Sequence, residues 1–278
     1  MFTRTTGELA QTGRKRARAE LLAAAVTLGI AYIALSAALI AVGLVLVHLL
    51  APVRHWDDHV NAWLAAHRTA GWTRASKDGT FLADTLAVVA VAAGATVLAL
   101  ACRCGRASAL IVCGLAVELS VFLTVNYSVA RPRPSAPHVG ATPSTYSFPS
   151  GHVAATLVLY GGVAFLVSTR TRVVWVRVLA WAAAACMVAW VGFSRVYEAE
   201  HHPTDVMAGI CLGIGALAAG VLAVQPGRAA RHARRGRTGV GPHEPSDAVT
   251  AERSDVTGVA VAHRIAPRRD GAREEAAS

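Results

Sequence analysis

Hydrophobic residues in this chain gather into six long runs separated by short polar stretches. A helix needs about 20 residues to cross a hydrocarbon core of about 30 Å. The runs cover residues 21–50, 81–101, 107–127, 152–167, 173–193 and 206–224. Their hydrophobic periods leave no room for a sheet. The pattern therefore predicts an all-α fold, a polytopic membrane bundle with about six transmembrane helices.

A shorter amphipathic stretch lies between the first two runs. Trp56, Val60, Trp63 and Leu64 recur at helical spacing with polar residues interleaved. This pattern predicts a short helix in the outer membrane interface. Such a helix can form a wall or lid for a lipid substrate, or it can serve interfacial packing alone.

The amino-acid composition also indicates a membrane protein. Of the 278 residues, 54% are hydrophobic and only 16% are charged, and the mean hydropathy is +0.44. Those values exclude an ordinary soluble domain of this length. A net charge of +10 would suggest nucleic acid in a soluble protein, but here the basic residues follow membrane topology. We expect the lipid bilayer as a partner and no nucleic acid.

The distribution of Lys and Arg predicts the orientation of the bundle. With the N-terminus inside, the inner segments carry 15 Lys and Arg and the outer loops carry seven. The positive-inside rule then places both termini in the cytoplasm of a multi-pass plasma membrane protein. We expect residues 1–20 to be a basic cytoplasmic arm, residues 21–225 the transmembrane domain, and residues 226–278 a disordered basic cytoplasmic tail.

Three polar segments stand at the edges of apolar runs and hold the candidate chemistry. They are residues 126–134, 149–152 and 194–205, and the predicted topology places all three outside. Together they hold arginines, a Ser-Gly-His turn and an Arg-His-Asp set. Cationic donors, backbone amides and imidazoles at one membrane surface are suited to cleaving a phosphate ester.

The second segment leads directly into the fourth apolar run. Ser150 is a good N-cap, and Gly151 lets the backbone approach a ligand closely. The first-turn amides and the positive end of the helix dipole favour an anion at this point. A simple helix cap would explain Ser150 but would leave His152 unexplained.

The third segment supplies a candidate nucleophile, His201. Asp205 follows it by four residues, so its carboxylate can accept the N–H of the imidazole and leave the other nitrogen free to attack. Arg133 and Arg195 are the candidate phosphate clamps, because a guanidinium gives two parallel charge-assisted bonds. The sequence has no carboxylate cluster suited to divalent cations, so we expect neither a metal nor another cofactor.

The motifs in these segments resemble those of the type 2 phosphatidic acid phosphatase (PAP2) superfamily, whose signature is K-x6-R-P, then P-S-G-H, then S-R-x5-H-x3-D. The second element is complete at residues 149–152. The third is complete at Ser194, Arg195, His201 and Asp205. The resemblance spans roughly residues 25–225, and it implies a PAP2/haloperoxidase-like helical core.

The resemblance also implies a role for each residue of these motifs. His201 would become phosphorylated, Asp205 would orient it, and His152 would protonate the leaving group and later activate water. The phosphoryl oxygens would be held by Arg133, Arg195, Ser150 and Gly151.

The first motif departs from the family pattern. Counting back from Arg133, the lysine position holds Asn126, and neither this residue nor Thr124 in the alternative frame is cationic. Asn126 can still donate a hydrogen bond to phosphate, and Arg131 can offset the missing charge.

These observations predict an integral membrane phosphatase acting on lipid phosphates or diphosphates through a phosphohistidine. Undecaprenyl diphosphate, phosphatidic acid and phosphatidylglycerol phosphate are the candidate substrates. The alternative is a catalytically weak membrane protein of the same fold that binds lipid phosphates, which the missing lysine favours. A vanadate-dependent haloperoxidase is disfavoured by the six spans.

Overall fold

A computed structural model describes residues 6–83, 93–94, 105–140 and 144–224. These residues form seven helices and no strand, which confirms the all-α prediction for the part of the chain described. The helices are α1 (Thr6–His48), α2 (Ala51–Ala66), α3 (Ala70–Ala83), α4 (Gly105–Val129), α5 (Gly151–Arg170), α6 (Val174–Tyr197) and α7 (Pro203–Val224).

Five of these helices are long and apolar enough to cross a membrane: residues Gly13–His48 of α1, Ser108–Val129 of α4, and the whole of α5, α6 and α7. They match five of the six predicted spans. The remaining predicted span, residues 81–101, lies almost wholly outside the described residues, as does the predicted tail at 226–278. Residues 6–20 of the predicted N-terminal arm form the first turns of α1.

The core of the bundle lies where α4, α5 and α7 pack together, with α1 against α4 and α7. Val121, Val158 and Leu212 have no exposed side-chain surface there. In a membrane, van der Waals packing between close helices replaces the hydrophobic effect, so small residues at the contacts are favoured. At Gly209 of α7, an added Cβ would lie 2.5 Å from the carbonyl oxygen of Ser150. This glycine therefore lets α7 approach the start of α5.

Chain direction brings the three polar segments to one end of the bundle. They lie where α4 ends, where α5 begins, and where α6 ends and α7 begins. Because these four helices run alternately up and down, all of these helix ends meet at the same side.

The predicted amphipathic helix is present as α2, at that same end. Its exposed face carries Trp56 and Trp63, each 53% exposed, as expected of a helix at a membrane interface. Its buried face is polar, however, because Asp57 and Asn61 are 0% and 1% exposed. Those two side chains point into the protein, toward the polar segments.

Candidate active site

The three polar segments converge through buried contacts. Asn126, near the end of α4, donates from Nδ2 to the carbonyl oxygen of Phe148 at 3.1 Å. Arg131 pairs with Asp205 at 2.5 Å, and the backbone N–H of Ser150 donates to the carbonyl oxygen of Asp205 at 3.0 Å. The structure thus brings together the segments that the sequence analysis singled out.

His201 lies in the turn between α6 and α7 and is 3% exposed. Its backbone N–H donates to the carbonyl oxygen of Arg195 at 3.2 Å. Its ring Nδ1 lies 2.7 Å from the carbonyl oxygen of Ser147. A carbonyl can only accept, so Nδ1 carries the hydrogen and, in the neutral ring, Nε2 keeps its lone pair.

The surroundings of His201 keep its ring neutral. Burial lowers the pKa of His201 to about 3. The Asp205 carboxylate opposes that shift, while the positive charge of Arg133 and the electrostatic interaction with His152 lower the pKa further. At neutral pH the imidazole is therefore uncharged, which is the state that a nitrogen nucleophile requires.

Asp205 does not hydrogen-bond His201 directly. Its Oδ2 lies 4.0 Å from His201 Nδ1, beyond hydrogen-bond distance. The same oxygen accepts from the backbone N–H of His202 at 2.8 Å and lies 3.0 Å from its Nδ1. The expected contact between Asp205 and His201 is thus replaced by one to the next residue, because the carboxylate turns toward His202 at the start of α7.

Ser147 connects the two residues that the sequence analysis had paired directly. It is fully buried, its carbonyl accepts from His201, and its hydroxyl donates to Asp205. Its backbone N–H donates to the carbonyl oxygen of Arg131 at 2.9 Å. The sequence analysis did not predict a role for Ser147, because this serine lies outside the three motifs and no residue pattern distinguishes it from other serines.

Arg131 is held by carboxylates on two different helices. Its Nη2 lies 2.8 Å from Asp57 of α2, and its Nη1 lies 2.5 Å from Asp205 and 2.8 Å from the Thr204 hydroxyl. The Arg131 side chain is only 4% exposed. Arg131 therefore acts in this arrangement as a buried brace between α2 and α7.

The two candidate phosphate clamps, Arg133 and Arg195, each pair with a glutamate in the turn between α6 and α7. Arg133 lies 3.0 Å from the Glu200 carboxylate and also donates to the Glu200 carbonyl, and Arg195 pairs with Glu198. Burial lowers the pKa of Arg133, and the Glu200 and Asp205 charges raise it. A phosphate reaching these arginines would have to compete with both carboxylates.

The start of α5 has the local geometry expected of an anion site. Ser150 occupies the N-cap position in an extended conformation, and Gly151 and His152 form the first turn. The buried Ser150 hydroxyl makes no cap hydrogen bond and has no partner among the described residues. The first-turn amides lie at the positive end of the helix dipole.

Asn126, predicted as a phosphate donor, is occupied by the backbone of the 146–148 segment. Its Nδ2 donates to the carbonyl oxygens of Tyr146 and Phe148 at 2.9 and 3.1 Å. Its Oδ1 accepts from the Tyr146 N–H at 3.0 Å, and the side chain has no exposed surface. This position therefore holds the loop that carries Ser147.

The region from α4 to α7 matches the model of a known protein family. A family model described as the PAP2 superfamily matches residues 106–228. Residues 106–228 belong to the PAP2 superfamily. The PAP2 region holds every site residue that the sequence analysis proposed, whereas α2 precedes it.

A solved structure has the same fold. It is the crystal structure of the first transmembrane PAP2 type phosphatidylglycerolphosphate phosphatase from Bacillus subtilis, with a TM-score of 0.55 and 18% identity. The similarity covers 79% of this chain and 98% of that one. No curated protein matches the chain. The all-α membrane bundle is thus a PAP2-type fold, and the chain is a membrane protein.

Proposed function

We propose that this protein is an integral membrane phosphatase that hydrolyses lipid phosphates or diphosphates through a phosphohistidine. The observation that supports it most is the state of His201. Its pKa of about 3 keeps the ring neutral, and Nδ1 donates to the Ser147 carbonyl. Nε2 is left with the lone pair that attacks phosphorus.

The first half of the proposed reaction forms the phosphoenzyme. Nε2 of His201 attacks phosphorus, and the bond from phosphorus to the lipid oxygen breaks with its electron pair leaving on that oxygen. Protonated His152, in the first turn of α5, donates its proton to the departing oxygen. The products of this step are a phosphohistidine and the lipid with one phosphate fewer, which is an alcohol from a lipid phosphate and a lipid monophosphate from a diphosphate.

The second half restores the enzyme. His152, now neutral, takes a proton from water as the water oxygen attacks phosphorus. The phosphorus–nitrogen bond breaks, the electron pair returns to His201 Nε2, and inorganic phosphate leaves. The proposed route needs no metal, because charge on the phosphoryl oxygens is met by donors of the chain.

Those donors are Arg133, Arg195, the Ser150 hydroxyl and the Gly151 amide. The two arginines are ion-paired with Glu200 and Glu198. Binding therefore involves an exchange in which phosphate oxygens replace the carboxylates on the guanidinium groups.

A membrane bundle suits a substrate whose tails stay in the bilayer. We further propose that the site faces outward at the plasma membrane with both termini in the cytoplasm, as the Lys and Arg distribution favours. Undecaprenyl diphosphate, phosphatidic acid and phosphatidylglycerol phosphate are the substrates to compare. The last of these is supported by the similarity in fold to the Bacillus subtilis phosphatidylglycerolphosphate phosphatase.

The alternative is a protein of the same fold that binds lipid phosphates and turns them over weakly. The pairing of both clamp arginines with glutamates favours it, since it lowers the positive charge available to phosphate. The neutral His201 imidazole favours the enzyme, because a binding protein has no use for a nucleophile.

The test is phosphate release from the three lipids by the purified full-length protein in detergent micelles with chelator present. We expect release by wild type and by a variant of an exposed α2 histidine, His59→Gln, and none by His201→Gln. Acid-labile, base-stable phosphorylation should appear on wild type and His59→Gln but not on His201→Gln. Equal release by wild type and His201→Gln would contradict the proposed phosphatase activity. Loss of activity with chelator would contradict the metal-free route.

A further inference from the structure

Helix α2 places a pair of buried polar side chains against the site. Asp57 and Asn61 are four residues apart, so they lie on one face of the helix. Both are essentially inaccessible to solvent. Burying polar groups costs free energy unless they are hydrogen-bonded, so their partners show what this face does.

Asn61 bonds the backbone of the turn that carries the nucleophile. Its Nδ2 donates to the carbonyl oxygen of His201 at 3.1 Å and to that of Val196 at 3.3 Å. One amide thus joins the end of α6 to His201, two residues before α7 begins. The His201 side chain is fixed at Nδ1 by Ser147, so Asn61 and Ser147 hold its backbone and its ring respectively.

Asp57 keeps α2 in register with the same turn. It accepts from Arg131 at 2.8 Å, from the backbone N–H of Thr204 at 3.2 Å, and from the Thr204 hydroxyl. These bonds attach the helix to the start of α7, one turn away from the contacts of Asn61. The position of Asn61 is therefore set by an independent anchor.

We propose that α2 forms a further wall of the active site and that Asn61 is a positioning residue for His201. This role rests on the proposed phosphatase function. The helix precedes the residues matched by the family model, and nothing in the three motifs predicts it. The Nδ2 bonds determine where His201 Nε2 stands relative to a phosphate held by Arg133 and Arg195.

A positioning role predicts a particular kinetic signature. A displacement of about 1 Å in a reacting group can cost about 10²-fold in rate. Asn61 makes no hydrogen bond to the arginine side chains, so phosphate binding should persist when the amide is removed. The loss should therefore appear in kcat, with little change in KM or in inhibition by inorganic phosphate.

The test uses two variants, Asn61→Ala and Asn61→Leu, in the purified full-length protein. Both remove the donors, but one leaves a cavity and the other fills it, so a shared effect reports the hydrogen bonds. The matched control is His59→Ala, which changes an exposed side chain of the same helix. The measurements are kcat, KM, the inhibition constant of inorganic phosphate, and the melting temperature.

We expect kcat to fall roughly 10- to 100-fold in both Asn61 variants, with the phosphate inhibition constant within about threefold of wild type. Unchanged kcat would overturn the role. Parallel loss of kcat and phosphate inhibition in both variants would also overturn it, because that pattern indicates a collapsed site. If neither wild type nor His59→Ala releases phosphate, the proposed function fails, and this role fails with it.

Discussion

The Nδ1 nitrogen of His201 lies 2.7 Å from the carbonyl oxygen of Ser147. A backbone carbonyl thus sets the tautomer of the candidate nucleophile, in place of the carboxylate that a His-x3-Asp spacing suggests. The hydroxyl of the same serine donates to Asp205. The two groups of Ser147 can be separated experimentally, since substitution removes the hydroxyl and leaves the carbonyl.

The variant Ser147→Ala is expected to lower kcat by about 10-fold or less. It removes one buried hydrogen bond to a carboxylate, worth about 1.5–3 kcal/mol in stability, but keeps the acceptor of His201, so only part of that loss should appear in kcat. Phosphate release under saturating substrate measures the effect, with the exposed Ser135→Ala as control. Abolished activity in a folded Ser147→Ala protein would mean that Asp205 needs the hydroxyl to serve His201 at all.

The depressed pKa of His201 predicts how stability depends on pH. The folded-state pKa is about 3, and an unfolded histidine titrates near 6.5. Between these values the unfolded chain binds more protons, so this contribution to stability is complete above pH ~6.5 and is lost as the pH falls toward 3. The melting temperature of wild type should therefore drop more between pH 7.5 and 5 than that of His201→Gln. Equal drops would show that His201 is not buried in its neutral form.

Glu200 is predicted to compete with phosphate for Arg133. The variant Glu200→Gln removes the carboxylate that lies 3.0 Å from the guanidinium while keeping similar size. Inorganic phosphate should then inhibit roughly three- to tenfold more tightly, an effect of about 0.7–1.4 kcal/mol, which is the net size of an ordinary hydrogen bond. The control Asp78→Asn removes a negative charge from an exposed position. Weaker phosphate inhibition in Glu200→Gln alone would indicate that Glu200 supports the clamp.

Arg131 is predicted to matter more for stability than for phosphate binding. The variant Arg131→Met leaves Asp57 and Asp205 buried without their shared cation. Breaking a buried ion pair in this way typically costs about 3–5 kcal/mol. We expect a strongly lowered melting temperature in detergent. A variant that is as stable as wild type but has a raised KM would instead indicate that Arg131 binds the substrate phosphate.

The sequence predicted α2, the five described spans and the three polar segments, because apolar length and motif spacing are local properties; it did not predict α3. Because successive helices run in opposite directions, the three segments could be placed at one end of the bundle from the sequence alone. The sequence could not predict which histidine Asp205 contacts. His202 and His201 precede it by three and four residues, and both spacings allow contact at the start of a helix. Asn61 was equally hidden, because its partners are carbonyl groups 135 and 140 residues away.

The last prediction concerns Asn126, which stands where the resemblance places a lysine. The variant Asn126→Lys restores that cation, yet we expect it to lower both kcat and the melting temperature. The amide donates to Tyr146 and Phe148 and accepts from the Tyr146 N–H, and an ammonium group cannot accept.

That substitution would leave the Tyr146 N–H without its partner at a cost of about 1–3 kcal/mol, and would bury a charge beside it. The 146–148 segment would shift, and with it the carbonyl that fixes His201. The control Ser128→Lys adds the same charge at an exposed position of α4. A rise in kcat with unchanged melting temperature, in Asn126→Lys alone, would show that this position can bring a cation to the phosphate, and that the loop does not depend on the amide.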